Sequence, residues 1–200
     1  ALSGATIVSS GGLVERLMAE PSGLEIEYIR KAGKIAQAGL ERGLATIGNG
    51  TPFYEIITNA TGAMYEAGMT EQLLCGSYTL SCVWAGPDGG AMHETGVTRR
   101  IQKGDIATCE TWGNYRHYVV GAQGSVYVGE QTPSDVGDIY KVLVDMYVAA
   151  REAMKPGVMV GEVWRESNQV YQAEFGEDYY RWLGPQMGAG VIGSLRKDSE

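Results

Sequence analysis

Apolar positions first recur along the chain with a helical period. Ile29, Ala32, Ala36, Leu40, Leu44 and Ile47 fall on one stripe, which predicts an amphipathic helix. Its start is signalled by Ser22 and Glu25, a pair that can satisfy two orphan backbone donors reciprocally. A second helix is predicted from Thr51-Pro52, with Thr51 as cap and Pro52 in the first helical position, where a missing N–H costs nothing. Ile56, Ile57, Ala60, Met64 and Ala67 form its apolar face. From Leu73 to Trp84 the period shortens to that of a strand, which ends at the turn residues Gly86-Pro87-Asp88-Gly89-Gly90. Two more strands are predicted, Ile106 to Trp112 and Tyr115 to Val128, around a turn at Gly113-Asn114. Thr132-Pro133-Ser134-Asp135 then opens a third helix carried by Val136, Ile139, Leu143, Met146, Ala150 and Met154. After a break at Lys155-Pro156-Gly157, a fourth runs from about Val160 to Phe175.

These elements repeat. Gly50, Glu55 and Ile56 are echoed by Gly157, Glu162 and Val163, an offset of 107 residues, and each set separates a long helix from a shorter one. Two helix–helix–strand units, each too small to bury its own sheet face, would share one core as an α+β layer structure. Composition agrees: of 200 residues, 44% are hydrophobic and 20% charged, which excludes a disordered chain. Glycine is in excess at 29 positions without a fixed period, so turns and close backbone contacts are expected rather than a fibrous repeat.

Sixteen Lys and Arg against 24 Asp and Glu give a net charge of −8. That sign opposes attraction to phosphate backbones or anionic lipid, so nucleic acid and membrane are not expected partners. No apolar run reaches the ~20 residues of a membrane span, and a cytoplasmic location is expected. Cys75, Cys82 and Cys109 are odd in number and lack C-x-x-C spacing, which points to buried thiols rather than a disulfide framework or a zinc site.

The segment Gly86-Pro87, His93 and Thr98-Arg99-Arg100-Ile101-Gln102-Lys103-Gly104-Asp105-Ile106 resembles the stretch that enters the site strands of the creatinase, prolidase and aminopeptidase P family. The region from Val14 to Ile56, with Glu25-Ile26, Ile29-Arg30-Lys31-Ala32 and Gly39, is similar to the linker and first helix of that family's C-terminal domain. The resemblance implies the pita-bread fold, an α+β pseudo-twofold of two helix–helix–strand halves around a curved antiparallel sheet. Residues 1–13 are then a linker remnant of a missing N-terminal domain and 14–200 the catalytic domain, with further strands expected after Ser194. It also implies a homodimer, as creatinase-like relatives form.

The family's two-metal hydrolases carry Asp ligands at the places of Glu110 and Gly121, a His at Met187 and a substrate-contacting His at Ser194. Glycine donates no ligand, and a thioether suits hard divalent ions poorly. The resemblance is therefore nearest to members that work without paired metals. One is creatinase, which keeps the loop His as acid/base; another is ectoine hydrolase, with a Glu at the first Asp place. Gln123 stands where creatinase has a guanidinium-binding Glu, so creatine itself is not the expected substrate.

Cleaving a C–N bond without a metal needs a base or nucleophile, and an acid for the leaving nitrogen. Only His93 and His117 are imidazoles; the resemblance gives His93 the acid/base role, whereas His117, on a strand between Arg116 and Tyr118, is read as structural. A carboxylate in a strand interior such as Glu110 is costly to bury unless paired or used. It is a nucleophile, a clamp for a cationic nitrogen, an orienter of His93 or half of a structural ion pair. Glu94, Tyr118, Gln123 and Met187 complete the expected substrate contacts. The expected function is metal-independent hydrolysis of a C–N bond in a small polar nitrogen compound, with no cofactor and no metal ligand set. The alternatives are a prolidase-type peptidase with an unusual metal site and an inactive pita-bread domain kept for binding.

Overall fold

The structure is a computed structural model, and its described residues are 4, 6, 11–70, 81–87, 89, 98–178, 185–186 and 193–194. The elements are α1 (Leu13–Met18), α2 (Gly23–Thr46), α3 (Phe53–Glu66), β1 (Ser81–Gly86), β2 (Ile106–Tyr115), β3 (Tyr118–Tyr127), α4 (Ser134–Ala153), α5 (Val160–Phe175), β4 (Pro185–Gln186) and β5 (Gly193–Ser194). Among the described residues no helix is long and apolar enough to cross a membrane.

The capping box forms as its residues predict. Glu25 Oε2 accepts from the Ser22 amide at 2.7 Å, and the Ser22 hydroxyl accepts from the Glu25 amide at 3.4 Å, so α2 starts at a defined residue. The second helix begins one residue later than its Thr-Pro signal suggests, at Phe53, with Pro52 extended as its cap. Pro52 is held out of the helix because the flanking backbone is tied to a neighbouring segment: Ile101 N–H donates to Thr51 O and Phe53 N–H to Arg99 O, both at 2.9 Å.

β1, β2 and β3 form one antiparallel sheet in that order. The β2–β3 ladder runs without a break from Ile106↔Tyr127 to Tyr115↔Tyr118, so the turn is Arg116-His117 and not Gly113-Asn114. Gly113 lacks a side chain for another reason. A Cβ there would overlap the carbonyl oxygen of Ala32 and come within 2.5 Å of the Ala36 nitrogen, because α2 lies directly on the strand. Arg116 and His117 both take left-handed φ, 50° and 67°, the conformation a two-residue hairpin needs but one that glycine or asparagine usually supplies. His117 is therefore a turn residue, not a strand residue.

One face of the sheet is covered by α2 and α3. Phe53, Ile56 and Ala60 of α3 meet Val83, Ala85, Ala107 and Cys109 of the strands, with Ile101 and Val128 closing the cluster. On the same face the Thr111 hydroxyl donates to Ala36 O at 2.8 Å, so a buried polar atom keeps a partner.

The second helix pair repeats the first at its junction. Gly50 and Gly157 have φ of 87° and 86°, each turning the chain two residues before an extended cap, and Glu55 and Glu162 each lie in the first turn that follows. Of the apolar stripe predicted on α4, Met146 and Ala150 are buried and the Ser167 hydroxyl of α5 donates to Met146 O. Ile139, Leu143 and Met154 are exposed, the last lying just past the helix as its C-cap.

Candidate functional site

The residues of the resemblance that precede β2 act on the backbone. Gly104 takes a φ of 97°, which needs glycine. Asp105, 4% exposed, accepts the Gln102 amide at 2.9 Å on Oδ2. Its carbonyl takes the Val128 amide, and Val128 O takes the Gly104 amide, each at 2.8 Å. Lys103-Gly104-Asp105 thus locks the start of β2 to the end of β3, and the register of everything beyond follows.

That register decides which side chains share a face. Ala107, Cys109, Thr111 and Gly113 point to the helices; Thr108, Glu110 and Trp112 point to the opposite face. Glu110 is flanked there by Cys82 of β1 and Gln123 of β3, its direct cross-strand partners. Thr108 lies two residues before it and exchanges a hydroxyl hydrogen bond of 2.8 Å with Ser125. Gly121 sits diagonally from Glu110, opposite Trp112. Along β3 this face is exposed at Gln123 and Ser125, whereas Trp84, Thr108, Trp112 and Glu110, the last 8% exposed, are buried.

A carboxylate this buried is costly unless it is paired or used. Among the described residues no cation pairs with Glu110, which removes the structural ion pair from its possible roles there. Its hydrogen bond comes from the Cys82 thiol, Sγ to Oε2 at 3.3 Å. Burial, with the Glu110 charge second, holds the Cys82 thiol far above the usual thiol range, so Cys82 stays a donor. Burial first and Glu110 second also push Cys109, on the helix face, up to about 12.

Of the residues expected at the site, Glu110 and Gln123 come together. Tyr118 does not join them. It lies on the helix-covered face five residues from Gln123 along β3, about 17 Å at strand rise, where its hydroxyl donates to Glu25 Oε1 at 2.9 Å and its ring packs on Tyr28. The hydrogen bond to Glu25, then desolvation, raises the Tyr118 hydroxyl, and hydrogen bonds from Ser22 lead in lowering Glu25. Tyr118 thus ties the hairpin to the first turn of α2. His93, Glu94 and Met187 lie outside the described residues. Cys82 is the site residue that sequence reasoning missed. Its position on a strand was visible, but the β1–β2 register depends on the long connection between them.

Residues 27–195 match the metallopeptidase family M24. The chain belongs to that family. A curated relative, an uncharacterized peptidase of Staphylococcus aureus strain USA300, is 23% identical over 165 residues, which are 82% of this chain and 45% of that protein. The chain spans about half the length of the curated relatives it matches. The prolidase from Pyrococcus furiosus superposes with a TM-score of 0.84 at 20% identity, covering 96% of this chain and 56% of the other. The Xaa-Pro dipeptidase from Bacillus anthracis gives 0.77 at 22% identity, covering 94% and 52%. The fold is the pita-bread fold of these structures, and the antiparallel sheet is part of it.

Membership of a metallopeptidase family implies bound metal ions. No three His, Cys, Asp or Glu side chains among the described residues gather in a way that would hold an ion. Gly121 offers no donor beside Glu110, and Glu110 Oε2 already accepts a thiol proton. The described part of the face does not fit a pair of bridged ions.

Proposed function

We propose that the protein is a hydrolase of the prolidase kind that cleaves the C–N bond of a short peptide or peptide-like amide on the Glu110 face of the sheet. Membership of M24 supports a hydrolase, and the likeness to prolidases favours a peptide substrate over an amidino compound. The peptidase reading, carried from the sequence as the alternative, is therefore better supported than the creatinase-like one. The observation that carries it to this face is Glu110, a buried carboxylate without a cation partner among the described residues, facing away from the helices beside accessible Gln123.

In this reading Glu110 takes a proton from the attacking water as its oxygen bonds to the carbonyl carbon. His93 gives a proton to the nitrogen as the C–N bond breaks, and the side-chain amide of Gln123 orients the substrate. Residues 14–200 form the catalytic domain, which contains the whole family match, and the protein works as a cytoplasmic homodimer. A second reading, hydrolysis without metal in the manner of creatinase, is favoured by the thiol hydrogen bond on Oε2.

The test is a panel of Xaa-Pro dipeptides, other dipeptides and tripeptides set beside amidino and simple amide compounds, each with manganese or cobalt and with a chelator. Turnover of peptides is the expected result. Turnover of amidino compounds alone would move the assignment to the second reading, and no turnover by a folded protein would leave a binding domain.

A further inference from the structure

Glu110 and Cys82 are cross-strand partners on the face of the sheet turned away from α2 and α3, and the thiol donates to one specific oxygen of the carboxylate, Oε2, at 3.3 Å. We infer that Cys82 is a positioning residue: it fixes the Glu110 carboxylate with Oε2 turned toward β1, so that Oε1 is the oxygen offered to the substrate on the β3 side. The inference rests on the hydrolase reading for its functional meaning, while the contact itself can be tested without a substrate.

The geometry explains why a thiol stands here. β1 lies on one side of Glu110 and β3 on the other. Gln123 and Ser125 on β3 are exposed, Cys82 on β1 is half-buried and Trp84 is buried, which makes β3 the more open side of Glu110. A donor on β1 therefore draws one oxygen away from that side without blocking it. A hydroxyl would serve similarly, but a thiol is a weak acceptor and a larger, more apolar group, so it holds the carboxylate without competing for its proton.

Each carboxylate oxygen has two acceptor sites, and the S–H donor takes one of those on Oε2. Cys82 thus leaves Oε1 as the less engaged oxygen of Glu110, for work as a base or as an acceptor for a substrate N–H.

The first measurement is the infrared S–H stretch in the full chain, read as wild type minus Cys82→Ala so that Cys75 and Cys109 cancel. The expected band lies below that of a thiol in water and moves back toward it in Glu110→Gln. The second is kinetics on the best substrate of the panel. Cys82→Ala is expected to lower kcat about 3- to 10-fold, the range of an ordinary hydrogen bond, since the thiol is a weak donor, with KM little changed, and Cys82→Ser to restore most of it. A band at the free-thiol position that Glu110→Gln leaves unmoved overturns the inference, as does an unchanged kcat in Cys82→Ala. If the wild type hydrolyses nothing on the panel, the hydrolase reading falls and the S–H band alone decides the positioning of Glu110.

Discussion

Replacing Gly113 by alanine tests the packing that sets the height of the site above α2. Strand propensity alone says that alanine should be tolerated, since glycine is the weaker strand former. The structure reverses that sign. The new methyl carbon would overlap Ala32 O and approach the Ala36 nitrogen and Cα to 2.5 and 3.1 Å. All three are backbone atoms of α2, so no rotamer change relieves them and the helix must lift from the sheet. Overpacking of this kind costs ~1–3 kcal/mol, and the rigid backbone places Gly113 at the upper end. The unfolded chain gives back ~0.4–1 kcal/mol, because alanine has less freedom to lose. The net expectation is a loss of about 2 kcal/mol, or about 4–8 °C in Tm for a chain of this size. Urea denaturation with a constant m-value measures it. Gly62→Ala is the control. That glycine lies inside α3, where a Cβ would meet nothing within 4 Å, so alanine should stabilise by ~0.5–1 kcal/mol. A Gly113→Ala protein as stable as wild type, or two variants of the same sign, would refute the close-approach argument.

Other predictions follow from titrating groups. Cys109 is raised from 9.0 to about 12 in the fold, so its contribution to stability is whole below pH 9 and is lost as pH rises toward 12; denaturation between pH 8 and 10.5 should show a steeper alkaline decline in wild type than in Cys109→Ala, and equal slopes would contradict it. Glu25 is lowered from 4.5, so its stabilisation is present above pH 4.5 and lost as pH falls through the lowered value; Glu25→Gln should flatten the acid limb of the same measurement. His93→Ala should lose at least ~100-fold in kcat on the true substrate, the lower end of acid–base catalysis, with folding stability unchanged; full activity would exclude it as the proton donor.

Much of the fold was legible because its signals are local. The Ser22 and Glu25 box, the stripe of α2 and the limits of α5 need only neighbours a few residues away, and they fall where the pattern puts them. The hairpin turn was misplaced because Gly113-Asn114 looks like a turn in isolation, while its glycine answers to Ala32 and Ala36, about 80 residues earlier. The true turn uses Arg116 and His117, residue types that carry no turn signal. The site divides in the same way. Glu110 stood out as a carboxylate inside a strand, whereas the Cys82 contact and the removal of Tyr118 to the other face depend on registers that periodicity does not give. Lys103-Gly104-Asp105 was legible as a motif, and its role is to set the strand register.

Glu110 is proposed as the reacting carboxylate, on the face of the sheet turned away from the helices. Glu110→Gln keeps the shape and a hydrogen-bond acceptor for Cys82, and it removes the base. Its kcat/KM beside that of wild type, on whichever peptide the panel identifies and with denaturation midpoints matched, is the most direct measurement. A fall of at least ~100-fold is expected for a general base. An unchanged kcat/KM in a folded Glu110→Gln protein would contradict the account.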